Sequence, residues 1–199
     1  MKEVCKIDKQ RIENAVRELL AAFGEDVSRE GLIDTPYRVT KYWCELLEGL
    51  QYTNKQIAEM FGKIFIVPNN PLVVKQVKNV FSHCEHHLAL MYNMTVTVAY
   101  LPCKVDNGYA VIGLSKIPRI VDMCCKRLQL QEKLAEDIAE CISLATGSED
   151  IYVNIIADHA CVSARGAKSN GITDVTSLKG RFKTDSDLRN EVERKLNYS

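Results

Sequence analysis

An α+β fold with a mainly antiparallel sheet is what this sequence predicts, and three observations lead there. Apolar residues recur at helical spacing through residues 1–65. Past that point the chain turns to β-branched, partly alternating runs such as "PLVVKQVKNVFS" and "TVTVAYLP". Two consecutive helical patterns then separate those runs from a later strand, "IYVNIIAD". Helices grouped in this way, rather than alternating singly with strands, indicate α+β and not a parallel α/β sheet.

Each element has its own warrant. Ile7, Ile12, Val16, Leu19, Leu20 and Phe23 mark one helical face, and Gly24 is its stop. The stretch "DTPYRVTKYWCELLEGL" opens a second helix, with Thr35 expected at the N-cap and Pro36 at the first helical position. Asn54–Phe61 is expected as a short third helix. After the two long β-type runs, Asp106-Asn107-Gly108 signals a turn before the short strand "YAVIG". Ser115–Leu128 and Leu130–Ala145 read as two helices, the second stopped by Gly147. "ITDVTSLKGRF" is expected to be extended, and Thr184 to cap a last charged helix that ends near Leu196.

A length of 199 residues, 46% of them apolar, suits one compact unit with a helical N-terminal region over 1–65 and the site-bearing part over 66–199. Basic and acidic residues balance at 26 each. That excludes nucleic-acid binding through bulk charge, and leaves an anionic small molecule at a local cluster. No run approaches the roughly 18 apolar residues of a membrane span. The opening "MKEVCKIDKQRIENAV" has no apolar signal-peptide core, so a cytoplasmic protein is expected. There the eight cysteines stay mostly reduced. Cys5, Cys44, Cys103, Cys124, Cys125 and Cys141 lie in apolar patterns and read as small core residues. Cys84 and Cys161 each stand within three residues of a histidine.

Those two cysteines raise a metal question. The chain has four histidines, and "FSHCEHHL" holds three of them around Cys84. In a turn, Cys84 and His87 face the same way and can grip one metal. "DHACVSARG" supplies His159 and Cys161 after a clear strand. If the extended conformation continues, both point to one face, roughly 6–7 Å apart along the chain. Thiolate with imidazole favours zinc over magnesium or calcium. With Cys84, His87 and Cys161 as ligands, His86 and His159 remain as acid–base groups and a fourth position stays open. Zinc lowers the pKa of a water there to about 7. A closed structural zinc site with four protein ligands is the alternative, and His83 reads as a bystander.

A second constellation suits an anion. In "IGLSKIPRI", Ser115, Lys116 and Arg119 share one face of the first helical turn, where free N–H groups and the helix dipole favour negative charge. A solvated basic face is the plainer explanation. Arg165, four residues beyond Cys161, links a cation to the cysteine–histidine cluster. "QLQEKL" contributes Gln131 and Glu132; a carboxylate can accept two N–H donors from a guanine edge, although an exposed helical glutamate needs no such role.

Taken together, "CEHH", "GLSKIPRIV", "LQE" and "HACVSARG" resemble GTP cyclohydrolase I in order and spacing, and "DTPYRVTKYW" extends the likeness to roughly Leu32–Lys195. The resemblance implies a catalytic domain of the tunnelling fold (T-fold), with two helices packed on one side of an antiparallel sheet. It implies a homodecamer of two pentamers with active sites at subunit interfaces. It implies zinc on Cys84, His87 and Cys161, and conversion of GTP and water into 7,8-dihydroneopterin triphosphate and formate. His159 and His86 would then transfer protons, Glu132 would anchor guanine and Gln131 would help place the substrate. Ser115 would serve the ribose or nearest phosphate. Lys116, Arg119 and Arg165 would hold the triphosphate, with Arg38 reaching it from another subunit.

The sequence departs from the family pattern in two places, one of them the Thr/Ser-rich segment after the Arg-Gly, which reads "ITDVTSLKGRF" here with Asp174 and Val175 intruding. The Gly-Lys turn that usually follows the histidines is replaced here by a stretch containing Asn93-Met94. Two other functions compete. A tunnelling-fold nitrile reductase needs a cysteine nucleophile and NADPH, which "CEHH" with "HAC" does not suit. A zinc-stabilised binding module would close its site with a fourth ligand and has no use for acid–base and anion-binding residues together.

Overall fold

The computed structural model describes residues 7–197, so Cys5 lies outside the described residues. Two helices, α1 (Lys9–Ala22) and α2 (Thr35–Leu46), form an N-terminal hairpin. A 3₁₀ turn (Glu48–Gln51) leads to α3 (Asn54–Phe61), which opens with a capping box between Thr53 and Gln56. The strands β1 (Ile64–Val67), β2 (Val73–Cys84), β3 (Ala89–Tyr100), β4 (Cys103–Val105) and β5 (Gly108–Ile112) follow. Next come α4 (Lys116–Cys125), β6 (Leu128–Gln129), α5 (Gln131–Thr146), β7 (Ile151–His159) and the one-turn α6 (Ala160–Ser163). The described chain closes with β8 (Thr173–Lys179), a 3₁₀ turn (Gly180–Lys183) and α7 (Ser186–Asn197).

The main sheet has the order β6-β2-β3-β7-β8, antiparallel except for the short β2–β6 pair, and a small sheet has the order β1-β5-β4. Period-two alternation divides the main sheet into two faces. Val96, Val98, Tyr100, Val153 and Ile155 enter one core with α4, α5 and Ile57 of α3. The α5 side chains Leu134, Ile138 and Ile142 recur every fourth residue and are fully buried there. On the opposite face Ala99 and Tyr152 pack with Phe182, Leu188 and Val192. Gly147 ends α5 in the left-handed conformation at φ 71°, as its stop signal requires.

Several expectations need correction. Asp34, not Thr35, stands at the N-cap of α2, and its carboxylate pairs with Arg38 at 3.2 Å instead of capping. Asp185, not Thr184, caps α7, accepting from the Leu188 N–H at 2.9 Å. The helix expected over Ser115–Leu128 stops at Cys125, because Leu128 and Gln129 pair with β2. The strands β1 and β4 lack an evident pattern of their own and form by pairing with β5. β8 ends at Lys179 instead of running on to Phe182. Cys124, Cys125 and Cys141 are buried as expected, whereas Cys44 and Cys103 are only half-buried.

Candidate active site

The site forms where three chain segments meet at one end of the main sheet. Cys84 is the last residue of β2, and residues 85–88 turn the chain back into β3. Met91 of β3 then faces His159, the last residue of β7, which brings the histidine beside the hairpin end. Gln129 pairs with Cys84 across β2–β6, so α5 begins with Gln131 and Glu132 immediately beside the same place. Leu88 takes φ 52° directly after His87, an uncommon backbone state for a branched residue at the turn that presents the histidines.

Cys84, His87 and Cys161 each offer one ligand atom, and these atoms lie within 4.8 Å of one another. That spacing approaches what bonds of about 2.0–2.3 Å set around one zinc, and two thiolates with an imidazole match its preference. Cys84 is buried, Cys161 half-buried and His87 exposed, so the group opens to solvent on one side. Burial raises the Cys161 thiol pKa, and neighbouring Cys84 raises it further, while Arg165 opposes them. Two thiols pushed together in this way are stabilised as thiolates by a shared cation. Cys161 reaches the group by a route the sequence did not indicate. The extended chain ends at His159, and Cys161 sits in α6.

The proton-transfer candidates adjoin this group along the chain, His86 next to His87 and His159 two residues before Cys161. The His86 and His87 rings are adjacent, with centroids 6.4 Å apart, and both residues are exposed. His159 Nε2 lies 2.7 Å from Gln131 Oε1. Burial lowers the His159 pKa from its ordinary value, against the opposing charges of Glu132 and Asp158, which favours a neutral imidazole near pH 7. Arg165 Nη1 stands 3.2 Å from His87 Nε2, so the guanidinium borders the group that could hold a metal.

The other candidates are placed differently. Ser115 occupies the N-cap position of α4 without a side-chain cap bond, and Lys116 and Arg119 lie in the first turn. Among the described residues, no side-chain hydrogen bond or ion pair connects these three to the cysteine–histidine group. Arg38 is exposed on α2 and paired with Asp34, and among the described residues no side-chain hydrogen bond or ion pair joins it to the group either. His83 is buried, with its ring 5.0 Å from Trp43 and its Nε2 3.4 Å from the Tyr42 hydroxyl, so it belongs to the α2–sheet contact. Sequence reasoning missed two supports. Tyr92 meets Ser163, which donates to the His159 carbonyl, and Asn93 donates to Asp158 at 2.8 Å. Asn93 has φ 50°, so asparagine fills the left-handed position where the family's glycine turn was expected.

A model of the family described as GTP cyclohydrolase I matches residues 12–197. The chain belongs to the GTP cyclohydrolase I family. A GTP cyclohydrolase 1 from Clostridium beijerinckii is 47% identical over 94% of this chain and 96% of its own length. One from Clostridium acetobutylicum is 49% identical over 92% of this chain and 94% of its own. One from Ruminiclostridium cellulolyticum is 48% identical over 94% of this chain and 96% of its own. The observed sheet, with two helices on one face, agrees with the tunnelling fold expected of the family.

Proposed function

We propose that this chain is a zinc-dependent GTP cyclohydrolase I that converts GTP and water into 7,8-dihydroneopterin triphosphate and formate, a reaction that opens tetrahydrofolate or tetrahydrobiopterin synthesis. The observation that carries this reading is the meeting of the Cys84, His87 and Cys161 ligand atoms within 4.8 Å, beside a half-buried His159. Zinc bound there would supply Lewis acidity and an acidified water.

The chain's own groups take the remaining work. His159, neutral near pH 7, accepts and returns protons at the purine, and His86 does so nearer the ribose. Glu132 is exposed at the first turn of α5 and accepts from the guanine N1–H and 2-amino group. Ser115 serves the ribose or first phosphate. Lys116, Arg119 and Arg165 hold the triphosphate, the first two at the helix N-terminus, where the dipole adds to their charge. Arg38 reaches a triphosphate in another subunit.

Homodecamers of two pentamers are the proposed assembly, in the cytoplasm. Two features support association. The outer edge of β8 is unpaired among the described residues, and β2 meets β6 only at His83 and Cys84; such edges invite pairing with another copy. Among the described residues no side-chain bond joins Lys116 or Arg119 to the cysteine–histidine group, which suits a site completed across subunits. No helix among the described residues is long and apolar enough to cross a membrane. The test is incubation with GTP while following formate and pterin fluorescence. Both should rise together, and GTP left intact by zinc-loaded protein would refute the reading.

A further inference from the structure

We propose that Gln131 is a positioning residue whose side chain fixes the tautomer and orientation of His159 and makes no contact of its own with the nucleotide. This rests on the reading of His159 as a proton-transfer group.

Gln131 is the first residue of α5 and only 2% exposed. Its Nε2 donates to the backbone carbonyls of Ile155 at 2.8 Å and Thr173 at 3.1 Å. Carbonyl oxygens only accept, so they fix which end of the amide carries nitrogen. The amide oxygen therefore faces His159 Nε2 at 2.7 Å. An amide oxygen also only accepts, so the hydrogen of a neutral His159 ring sits on Nε2 and the lone pair sits on Nδ1. Both amide hydrogens of Gln131 are committed to β7 and β8, which leaves none for a ligand. Its neighbour Glu132 is exposed. The two adjacent residues thus divide their tasks, one inward to His159 and one outward to solvent and substrate.

The same bonds explain why the ring is held still. Ile155 lies four residues before His159 on β7, and Thr173 is the first residue of β8, paired with Ala157. Gln131 spans both strands and the ring with one amide group. No other side-chain hydrogen bond to the His159 ring occurs among the described residues, and a ring presenting Nε2 as its base would not place the lone pair where Nδ1 now has it.

The test uses zinc-loaded wild-type protein labelled with ¹³C and ¹⁵N in histidine. Ring carbon and nitrogen shifts should show His159 protonated at Nε2 with a bare Nδ1, the signal being assigned by its loss in His159→Asn. A ring protonated at Nδ1 instead would overturn the proposal. In Gln131→Leu, kcat should fall about 10²-fold or more, with KM for GTP and bound zinc little changed. A raised KM at unchanged kcat would make Gln131 a substrate contact and overturn it. If that variant does not fold, the wild-type spectrum still decides. The spectrum needs no GTP, so a chain that released no formate would defeat the functional reading and leave the tautomer result standing.

Discussion

At the scale of single residues, the division between ligands and proton carriers is the feature most open to test. His159 stands two residues before Cys161 but outside the Cys84–His87–Cys161 group. His159→Ala should therefore retain zinc and lose product formation by about 10²-fold or more, the usual contribution of a positioned acid–base group. Loss of zinc from that variant, measured by elemental analysis, would move His159 into the ligand set. Lys116 and Arg119 form a second test. If they hold phosphates, Lys116→Ala and Arg119→Ala should weaken GTP far more than guanosine, by about 1.5–3 kcal/mol for each lost charged hydrogen bond. Equal losses in a binding titration would contradict that role. The ligand types were legible in the sequence because few residues bind zinc and the histidines cluster. Gln131's bond to His159 was not, because it joins residues 28 positions apart and depends on the α5 start meeting the end of β7.

At the scale of elements, two buried polar contacts fasten the N-terminal helices to the sheet and its helices. His83 on β2 packs against Trp43 and Tyr42 of α2. Burial lowers its pKa below the ordinary 6.5, so the unfolded chain takes up this proton more readily than the folded one. The contribution is intact above pH 6.5 and is lost as pH falls below it towards the folded value. Between about pH 7.5 and 5.5, urea midpoints should therefore drop more for wild type than for His83→Gln. Equal drops would remove His83 from the explanation.

The second contact is the ion pair of Arg127 with Asp137 at 3.1 Å, whose side chains are 11% and 6% exposed. Arg127 also donates to the Gly49 and Tyr52 carbonyls and to Asn54 Oδ1, tying the 3₁₀ turn and α3 to α5. Gly49 fits here because a Cβ would strike the Met123 and Lys126 carbonyl oxygens. Asp137→Ala strands the Arg127 charge and should cost about 3–5 kcal/mol in chemical unfolding. A cost below about 1 kcal/mol, the level of an exposed pair, would contradict it. Helix periodicity made α1, α3 and α5 legible, and alternation did the same for β2, β3 and β7. The N-cap positions at Asp34 and Asp185 were missed because the adjacent Thr35 and Thr184 also carry capping side chains, so residue type alone does not set the helix start. β1 and β4 were missed because short strands depend on partners that local sequence does not reveal.

At the scale of the whole molecule, one sheet gathers the cysteine–histidine group, His159 and the start of α5. The β2–β3 hairpin, the end of β7 and the start of α5 converge because β2, β3, β6 and β7 are neighbours in one sheet. Motif order made the family legible, while the meeting of those motifs awaited the strand order. The β2 and β8 edges, open among the described residues, together with the proposal that Lys116 and Arg119 serve a neighbouring site, lead to a specific expectation for assembly. Sedimentation should give a particle several times the 22.5 kDa chain mass, and turnover should disappear on dissociation. A monomer with full turnover would refute a site shared between subunits.

The central claim is that Cys84, His87 and Cys161 hold the metal on which formate release depends. Its most direct test is zinc titration of chelator-stripped protein, with formate release from GTP followed at each addition. Activity should start near zero and rise to a plateau at about one zinc per chain, the stoichiometry of a single three-ligand site. Full formate release from the stripped protein, or zinc uptake without recovered activity, would contradict it.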